Sequence, residues 1–434
     1  MIIRARPKYL REDYLLKEGG IVVDEREPDD ELFFNLGRSA LKFFLIHYAS
    51  FKNKTIRVAL QSFNCEVIYE GVKEAGCIIE LYDNNLHDFS ASLDEIKQLN
   101  RLPDVLILTH YQGIPNTEYE AISQYCRENE IFLLDDMAHT EGSKINNVPI
   151  GKLSGAAIHS FAFDKPFTTF KGGSLSIENI KDSVLKQRLL EAYGSLKKES
   201  SFTMRRHKKA LLFLMRSSSP DSYSKEINNY NFIELLFALG LSSKAACRIL
   251  KWDFSFSEWR WKRFYPWLSG KNTNMRYKVY HKIRLVFTSL WNRFLVFLNK
   301  TGLFDNRIRI LKMHKEKLSL LLAQKKIYDA SYSDLEKDFL EKLFVNNNVK
   351  IASYPNSNIR WNRYSILDEE GKIYKILDSN EIEFRNYNWY RPLHLIYEYD
   401  KTGKSLSNAE LTSKKIVNLP LWSDYFKTKA QPLN

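Results

Sequence analysis

IFLLDDMAHTEGSKINNVPIGKLSGAAIHSFAFDKPFTTFKGGSLSI, residues 131–177, decides the fold of this chain. IFLL and AAIH are short uninterrupted apolar runs, the pattern of strands buried on both faces. The first empties into Asp135, Asp136 and His139. The second empties into Ser160, then Lys165, Thr168 and Thr169, and closes on Gly172-Gly173 before a further strand, GSLSI.

Upstream the same rhythm repeats. TIRVALQSF (55–63) reads as a strand, CEVIYEGVKEAG (65–76) as a helix ended by Gly76, and CIIELYD (77–83) as a strand. Ser92 stands three residues before Glu95, the spacing of a capping box. DVLILTHYQG (104–113) is a strand entering a loop with His110, Tyr111 and Gly113, and NTEYEAISQYCRENE (116–130) has helical apolar spacing. Alternation at this spacing predicts a mostly parallel sheet covered by helices on both faces. In such sheets ligands bind beyond the carboxyl ends of the strands, so the polar residues found there form the candidate site. Gly37, Arg38, Ser39 and Ala40 open the apolar helical run LKFFLIHY (41–48). A glycine followed by a small hydroxyl residue at a helix start offers N–H groups and a favourable dipole to a phosphate.

In chain order, GRSALKFFL, the tract ending AGC at Cys77, HYQGIPN, DDMAHTEGS and GAAIHSFAFDKPFTTFKGG resemble successive blocks of the DegT/DnrJ-type sugar aminotransferases. LTSKKIVNLPLWSDY (411–425) resembles that family's closing leucine-proline block. The resemblance covers roughly residues 30–178 and, more thinly, about 340–425. It implies the α/β pyridoxal-phosphate transferase fold of type I. The large cofactor-binding domain would occupy residues 1–200, a basic helical insertion 201–320, and a smaller α/β domain 321–434.

The resemblance also implies pyridoxal 5'-phosphate as cofactor. Lys165 follows Ser160 by five residues, and Gly172-Gly173 follow Lys165 by seven and eight, as the family pattern requires. It is implied as the lysine that forms a Schiff base with the cofactor and shuttles the substrate proton. Asp136 is implied as the partner of the pyridine nitrogen. Asp135 competes for that job, because adjacent strand residues point to opposite faces, and the family register favours Asp136. His139 is implied beside the ring, and Ser160 with the start of the helix at Gly37, Arg38, Ser39 and Ala40 as the phosphate cradle. Where the family has a ring-stacking Trp or Phe, this chain reads Gln61-Ser62-Phe63-Asn64-Cys65. That puts Cys65 in the stacking position and passes stacking to His139 or Phe63. An Asn-x-Arg segment of the neighbouring subunit is also implied at the phosphate; Asn274-Met275-Arg276 or Asn229-Tyr230-Asn231 could supply it.

The implied function is that of a homodimeric aminotransferase passing an amino group from an amino acid, glutamate by resemblance, to a keto-sugar on a nucleotide. Such an enzyme serves surface-glycan or secondary-metabolite biosynthesis. Family dehydratases replace the lysine with histidine, so Lys165 points to transamination. Two other classes compete: a fold relative without catalysis acting as a binding or scaffold module, and a membrane-surface enzyme on a lipid-linked or large substrate.

Composition bounds these readings. The 434 residues are 44% hydrophobic and 27% charged with only 17 Gly and 12 Pro, which excludes a fibrous or largely disordered chain. The first residues lack an apolar signal core, and no uninterrupted apolar stretch is long enough to span a bilayer. Cys65, Cys77, Cys126 and Cys247 have no paired spacing, which fits reduced thiols in the cytoplasm rather than disulfides or a metal site. Residues 201–320 hold 24 Lys and Arg against 7 Asp and Glu, an excess larger than the +13 of the whole chain. Trp252, Trp259, Trp261, Trp267 and Trp291 lie there, and apolar residues recur at helical spacing over 276–300. Three readings stay open: a packed helical subdomain or dimer contact, a pocket for an acidic substrate, or peripheral membrane contact through 250–300. No recognised module supports nucleic-acid binding. Further on, KIASYPNSNIRWNRYSILD (350–368) and PLHLIYEYD (392–400) read as strands. Arg360, Arg363 and Arg391 are basic candidates there, each read more readily as a surface residue.

Overall fold

The computed structural model describes residues 29–162, 165–201, 203, 204, 207, 208, 211, 310–331, 335–380, 390–397, 406–419 and 421. The chain separates into two units, residues 1–212 with 310–434 and residues 213–309. The second unit, with Cys247, the Asn229 and Asn274 segments and the helix expected over 276–300, lies outside the described residues.

The strands are β1 (Glu31–Phe34), β2 (Arg57–Gln61), β3 (Phe63–Asn64), β4 (Ile78–Tyr82), β5 (Val105–Thr109), β6 (Phe132–Asp136), β7 (Lys144–Ile145), β8 (Val148–Pro149), β9 (Ala156–Ser160), β10 (Gly173–Ser176), β11 (Ser357–Asn358), β12 (Tyr364–Leu367), β13 (Arg391–Pro392) and β14 (Ile416–Leu419). The helices are α1 (Gly37–Lys52), α2 (Glu66–Glu74), α3 (Leu93–Lys97), α4 (Tyr119–Glu128), α5 (Ser183–Ser195), α6 (Lys315–Ser331), α7 (Leu335–Asn346), α8 (Ile373–Ser379), α9 (Leu393–Ile396) and α10 (Ser407–Lys415).

Seven strands form one sheet in the order β1-β10-β9-β6-β5-β2-β4. From β4 through β9 every pairing is parallel, whereas β10 runs antiparallel to both β9 and β1. Successive strand residues alternate between two hydrophobic layers, as the pleat dictates. Val105, Ile107, Leu134 and Ile158 bury on the side of α1 and α2; Leu106, Leu108, Leu133 and Ala157 bury on the side of α4. Ser92 caps α3 by accepting the Glu95 N–H at 3.3 Å, at the spacing read from the sequence. Asn53 closes α1 at φ 50°, a conformation asparagine tolerates.

A third hydrophobic layer joins the C-terminal elements to this sheet. Leu340 and Phe344 of α7, Tyr364 and Ile366 of β12, and Val417 and Leu419 of β14 pack with Phe63, Phe89 and Tyr111. Gly113 makes the close approach there: at φ 103° a Cβ would lie 2.4 Å from the Arg360 carbonyl oxygen. Two strand expectations are corrected in this region. Residues 350–368 are extended only at β11 and β12, with Asn356 at φ 61° breaking the run. Residues 392–397 give a single strand residue and then the α9 turn, which the Tyr397 N–H closes by donating to the Leu393 carbonyl at 3.0 Å. Among the described residues no helix is long and apolar enough to cross a membrane.

Candidate functional site

Five parallel strands end on one edge of the sheet, and strand parity selects what faces each layer there. Thr109, Asp136 and Ser160 end β5, β6 and β9 on the α1 side; Asp135 and His159 point to the other side. Asp135 is accordingly occupied away from the edge. It accepts a hydrogen bond from Tyr119 Oη and lies 3.5 Å from His110 Nε2. Tyr119 Oη in turn accepts the Gly151 and Leu153 N–H groups at 3.1 Å each. His110 Nδ1 accepts the Asn116 N–H at 3.0 Å, so both His110 and Asp135 brace loops.

Asp136 belongs to a different network. Its carboxylate accepts Thr109 Oγ1 at 3.3 Å and the Ala138 N–H at 3.1 Å, and Asn64 Nδ2 donates to Thr109 Oγ1 at 2.9 Å. Burial pushes the Asp136 carboxyl above the usual carboxylate range, against the pull of the Ala138 N–H and the Lys165 cation.

The loop between β9 and β10 carries Lys165 back over this edge. Phe161 closes the loop by donating its N–H to the Gly172 carbonyl and accepting the Thr169 N–H, while Gln324 of α6 bonds Thr168 through both its N–H and its carbonyl. Lys165 is 8% exposed, and its Nζ lies 2.6 Å from His139 Nε2. Burial, then the Lys165 and Arg363 cations, hold the His139 imidazole well below its ordinary range, so it is neutral.

Beside these groups, α1 starts against Ser160. A Cβ on Gly37 would lie 3.1 Å from the His159 carbonyl oxygen and 3.2 Å from Ser160 Cβ, and one on Gly173 would lie 2.3 Å from Gly37 Cα. Glycine at 173 lets the first turn of this 16-residue helix come so close to the strand edge, and glycine at 37 spares the end of β9 a tight side-chain contact. The Ser39 and Ala40 N–H groups turn back onto the Leu36 carbonyl at 3.1 and 3.2 Å. Arg38 directs its guanidinium to Glu70 and Glu74 of α2, so its contribution to the helix start is its backbone.

Cys65 sits at the N-cap of α2, half-buried, with its N–H donated to Asn64 Oδ1 at 2.7 Å. Phe63 is fully buried against Tyr111 and Tyr390. Away from the site, burial pushes the Cys77 and Cys126 thiols up to about 11 and about 12. Among the described residues no cluster of His, Cys, Asp and Glu could hold a metal ion.

The surface reading of Arg363 is corrected. It is 1% exposed, and its Nη1 donates to Gln112 Oε1 at 3.3 Å beside Tyr111 and His139. Arg391 is exposed and Arg360 half-buried. Sequence reasoning also missed Asn64, Thr109 and Tyr390. Thr109 was legible in principle as the polar end of an apolar strand, whereas Asn64 and Tyr390 carry no local signal.

The donor set suits pyridoxal phosphate: a buried amine, a buried carboxylate with hydrogen-bonding support, and a glycine-framed helix start beside a serine hydroxyl. Comparison with known proteins points the same way. Residues 72–219 match the model of the DegT/DnrJ/EryC1/StrS aminotransferase family. A Helicobacter pylori UDP-4-amino-4,6-dideoxy-N-acetyl-beta-L-altrosamine transaminase is 27% identical over 132 residues, 30% of this chain and 32% of that protein. The chain thus aligns with about a third of that relative's length. Along its fold it resembles a DegT DnrJ EryC1 StrS aminotransferase from Brucella abortus, with a TM-score of 0.54 at 17% identity, covering 92% of this chain and 83% of that one. It also resembles ntda from Bacillus subtilis with bound cofactor PMP, with a TM-score of 0.55 at 11% identity, covering 92% and 71%. The fold is that of the sugar aminotransferases.

Proposed function

We propose that this protein is a pyridoxal-phosphate-dependent aminotransferase that passes an amino group from an amino acid, glutamate by resemblance, to a keto-sugar carried on a nucleotide. The observation that carries the proposal is the burial of Lys165, His139 and Asp136 together at the carboxyl edge of a parallel sheet, beside a glycine-framed helix start. When bound, pyridoxal phosphate supplies an aldehyde that takes up amines and a ring that withdraws electrons from the substrate carbon.

The chain's own residues supply the rest. Lys165 would hold the cofactor through Nζ, and the same atom, as a neutral amine, would carry the proton that the substrate carbon gives up. Asp136, kept in place by Thr109 and the Ala138 N–H, offers a carboxylate to the pyridine nitrogen. A cationic partner there offsets the burial that raises its pKa. Neutral His139 lines the site without adding positive charge that would compete with that ring. Ser160, the Ser39 hydroxyl and the first backbone N–H groups of α1 at Gly37 and Arg38 would hold the phosphate, whereas the Ser39 and Ala40 N–H groups, the donors expected from the sequence, are already given to the Leu36 carbonyl. Cys65 would give the ring less contact area than an aromatic, and His139 would take over as the stacking partner.

The same reading makes the enzyme a cytoplasmic homodimer with residues 201–320 inserted between the cofactor domain and a C-terminal domain, and with Asn274 as a contributor to the neighbouring site. Equilibrium sedimentation tests the dimer. For the activity, the purified protein should show the visible absorption of bound cofactor, lost in Lys165→Ala, and should convert a keto-sugar nucleotide with glutamate. A colourless protein that takes up no added pyridoxal phosphate would sink the proposal.

A further inference from the structure

Tyr390 enters the site from a segment 251 residues beyond His139. Its hydroxyl lies 3.1 Å from His139 Nε2, and its ring stacks on the imidazole with centroids 5.9 Å apart at 21°. Tyr111 and Phe63 meet the same ring edge-on, each with centroids 5.9 Å away, and Tyr390 is 7% exposed. The residues after it are fastened to β3. Arg391 pairs with Asn64, the Leu393 N–H donates to the Ser62 carbonyl at 2.8 Å, and Ser62 Oγ lies 2.6 Å from His394 Nδ1.

His139 Nε2 therefore faces two groups, Lys165 Nζ at 2.6 Å and Tyr390 Oη at 3.1 Å. An imidazole nitrogen offers one lone pair or one proton, so it makes one strong hydrogen bond at a time. An amine that serves the cofactor must release Nε2. The hydroxyl then remains, and a phenol beside a neutral imidazole donates.

We propose that Tyr390 is a positioning residue that holds His139 in the site, donating its hydroxyl to Nε2 whenever Lys165 is engaged elsewhere. This rests on the roles given to Lys165 and His139 under the proposed function. The bond fixes the tautomer with the proton on Nδ1, and the stack fixes the plane of the ring. Because β3 also carries Asn64, which bonds Thr109 and through it Asp136, one short strand sets both sides of the site.

The test uses full-length protein loaded with pyridoxal phosphate, comparing wild type, Tyr390→Phe and Tyr390→Leu. The readouts are the pH midpoint of the visible absorption band and the visible circular dichroism of the bound cofactor. Tyr390→Phe keeps the stack and loses the hydroxyl, so its midpoint should move by about half a pH unit or more while the dichroism persists. Tyr390→Leu should also weaken the dichroism, by about twofold or more. If Tyr390→Leu does not fold, the Tyr390→Phe midpoint decides alone. A wild-type midpoint in Tyr390→Phe overturns the inference. A wild type that itself shows no band overturns the cofactor reading and this inference with it.

Discussion

Asp135 and Asp136, adjacent in the chain, hold their carboxylates on opposite faces of the central sheet: Asp135 accepts from Tyr119, and Asp136 accepts from Thr109. Replacing one should therefore leave the other's network standing. Under the proposed function, Asp136→Asn is expected to lower the transamination rate by about two orders of magnitude or more, the scale of a lost preorganised charge. Asp135→Asn should keep the visible absorption and lose about 1–3 kcal/mol of stability through Tyr119. Steady-state kinetics and denaturant unfolding on both variants check the contrast, and equal rate losses would contradict the assignment.

The close approach of Gly173 to Gly37 gives a second expectation. A methyl group on residue 173 would lie 2.3 Å from Gly37 Cα and 2.4 Å from its nitrogen, so α1 must shift away from the strand edge. Gly173→Ala should cost about 1–3 kcal/mol of stability and weaken pyridoxal-phosphate binding. Gly194, where an added Cβ meets nothing within 4 Å, provides the control. Titration with the cofactor, followed by absorbance, measures the difference; unchanged binding in Gly173→Ala would remove the cradle from the account.

His139 links stability to pH. Its folded-state pKa is held well below the ordinary value of 6.5, so below about pH 6.5 the unfolded chain binds a proton that the folded chain refuses. The stability His139 permits is full above that value and is lost as pH falls. Unfolding free energies of cofactor-free wild type and His139→Gln, measured from pH 8 down to about pH 5, should converge or cross as the wild type weakens. Parallel curves would mean that His139 titrates normally.

A buried ion pair braces the lysine loop from behind. Lys317 Nζ lies 2.8 Å from Glu199 Oε2 and donates to the Lys171 carbonyl at 2.8 Å, with the two side chains 0% and 3% exposed. Lys317→Met leaves a buried carboxylate without its cation and should cost about 3–5 kcal/mol. The double variant Lys317→Met with Glu199→Leu should be less destabilised than the single one. Chemical denaturation of the three proteins measures this, and additive losses would argue against coupling.

The sequence by itself determined what depends on short-range pattern. Apolar runs alternating with helical spacing demand a parallel sheet, because each strand must bury both faces and each crossover needs a covering helix. The same logic put Lys165, Asp136, His139 and Ser160 at strand ends, and Ser92 at a cap. The tertiary structure alone decided what depends on burial and on distant partners. Strand parity relative to α1 separated Asp136 from Asp135, two residues that the residues themselves left in competition. Arg363 is a buried guanidinium only because α7, β12 and β14 close a core around Phe63 and Tyr111. Tyr390 faces His139 only because β13 pairs with β3. No local periodicity encodes such a contact, since its partners are 251 residues apart and meet through packing rather than through the helical or strand repeat.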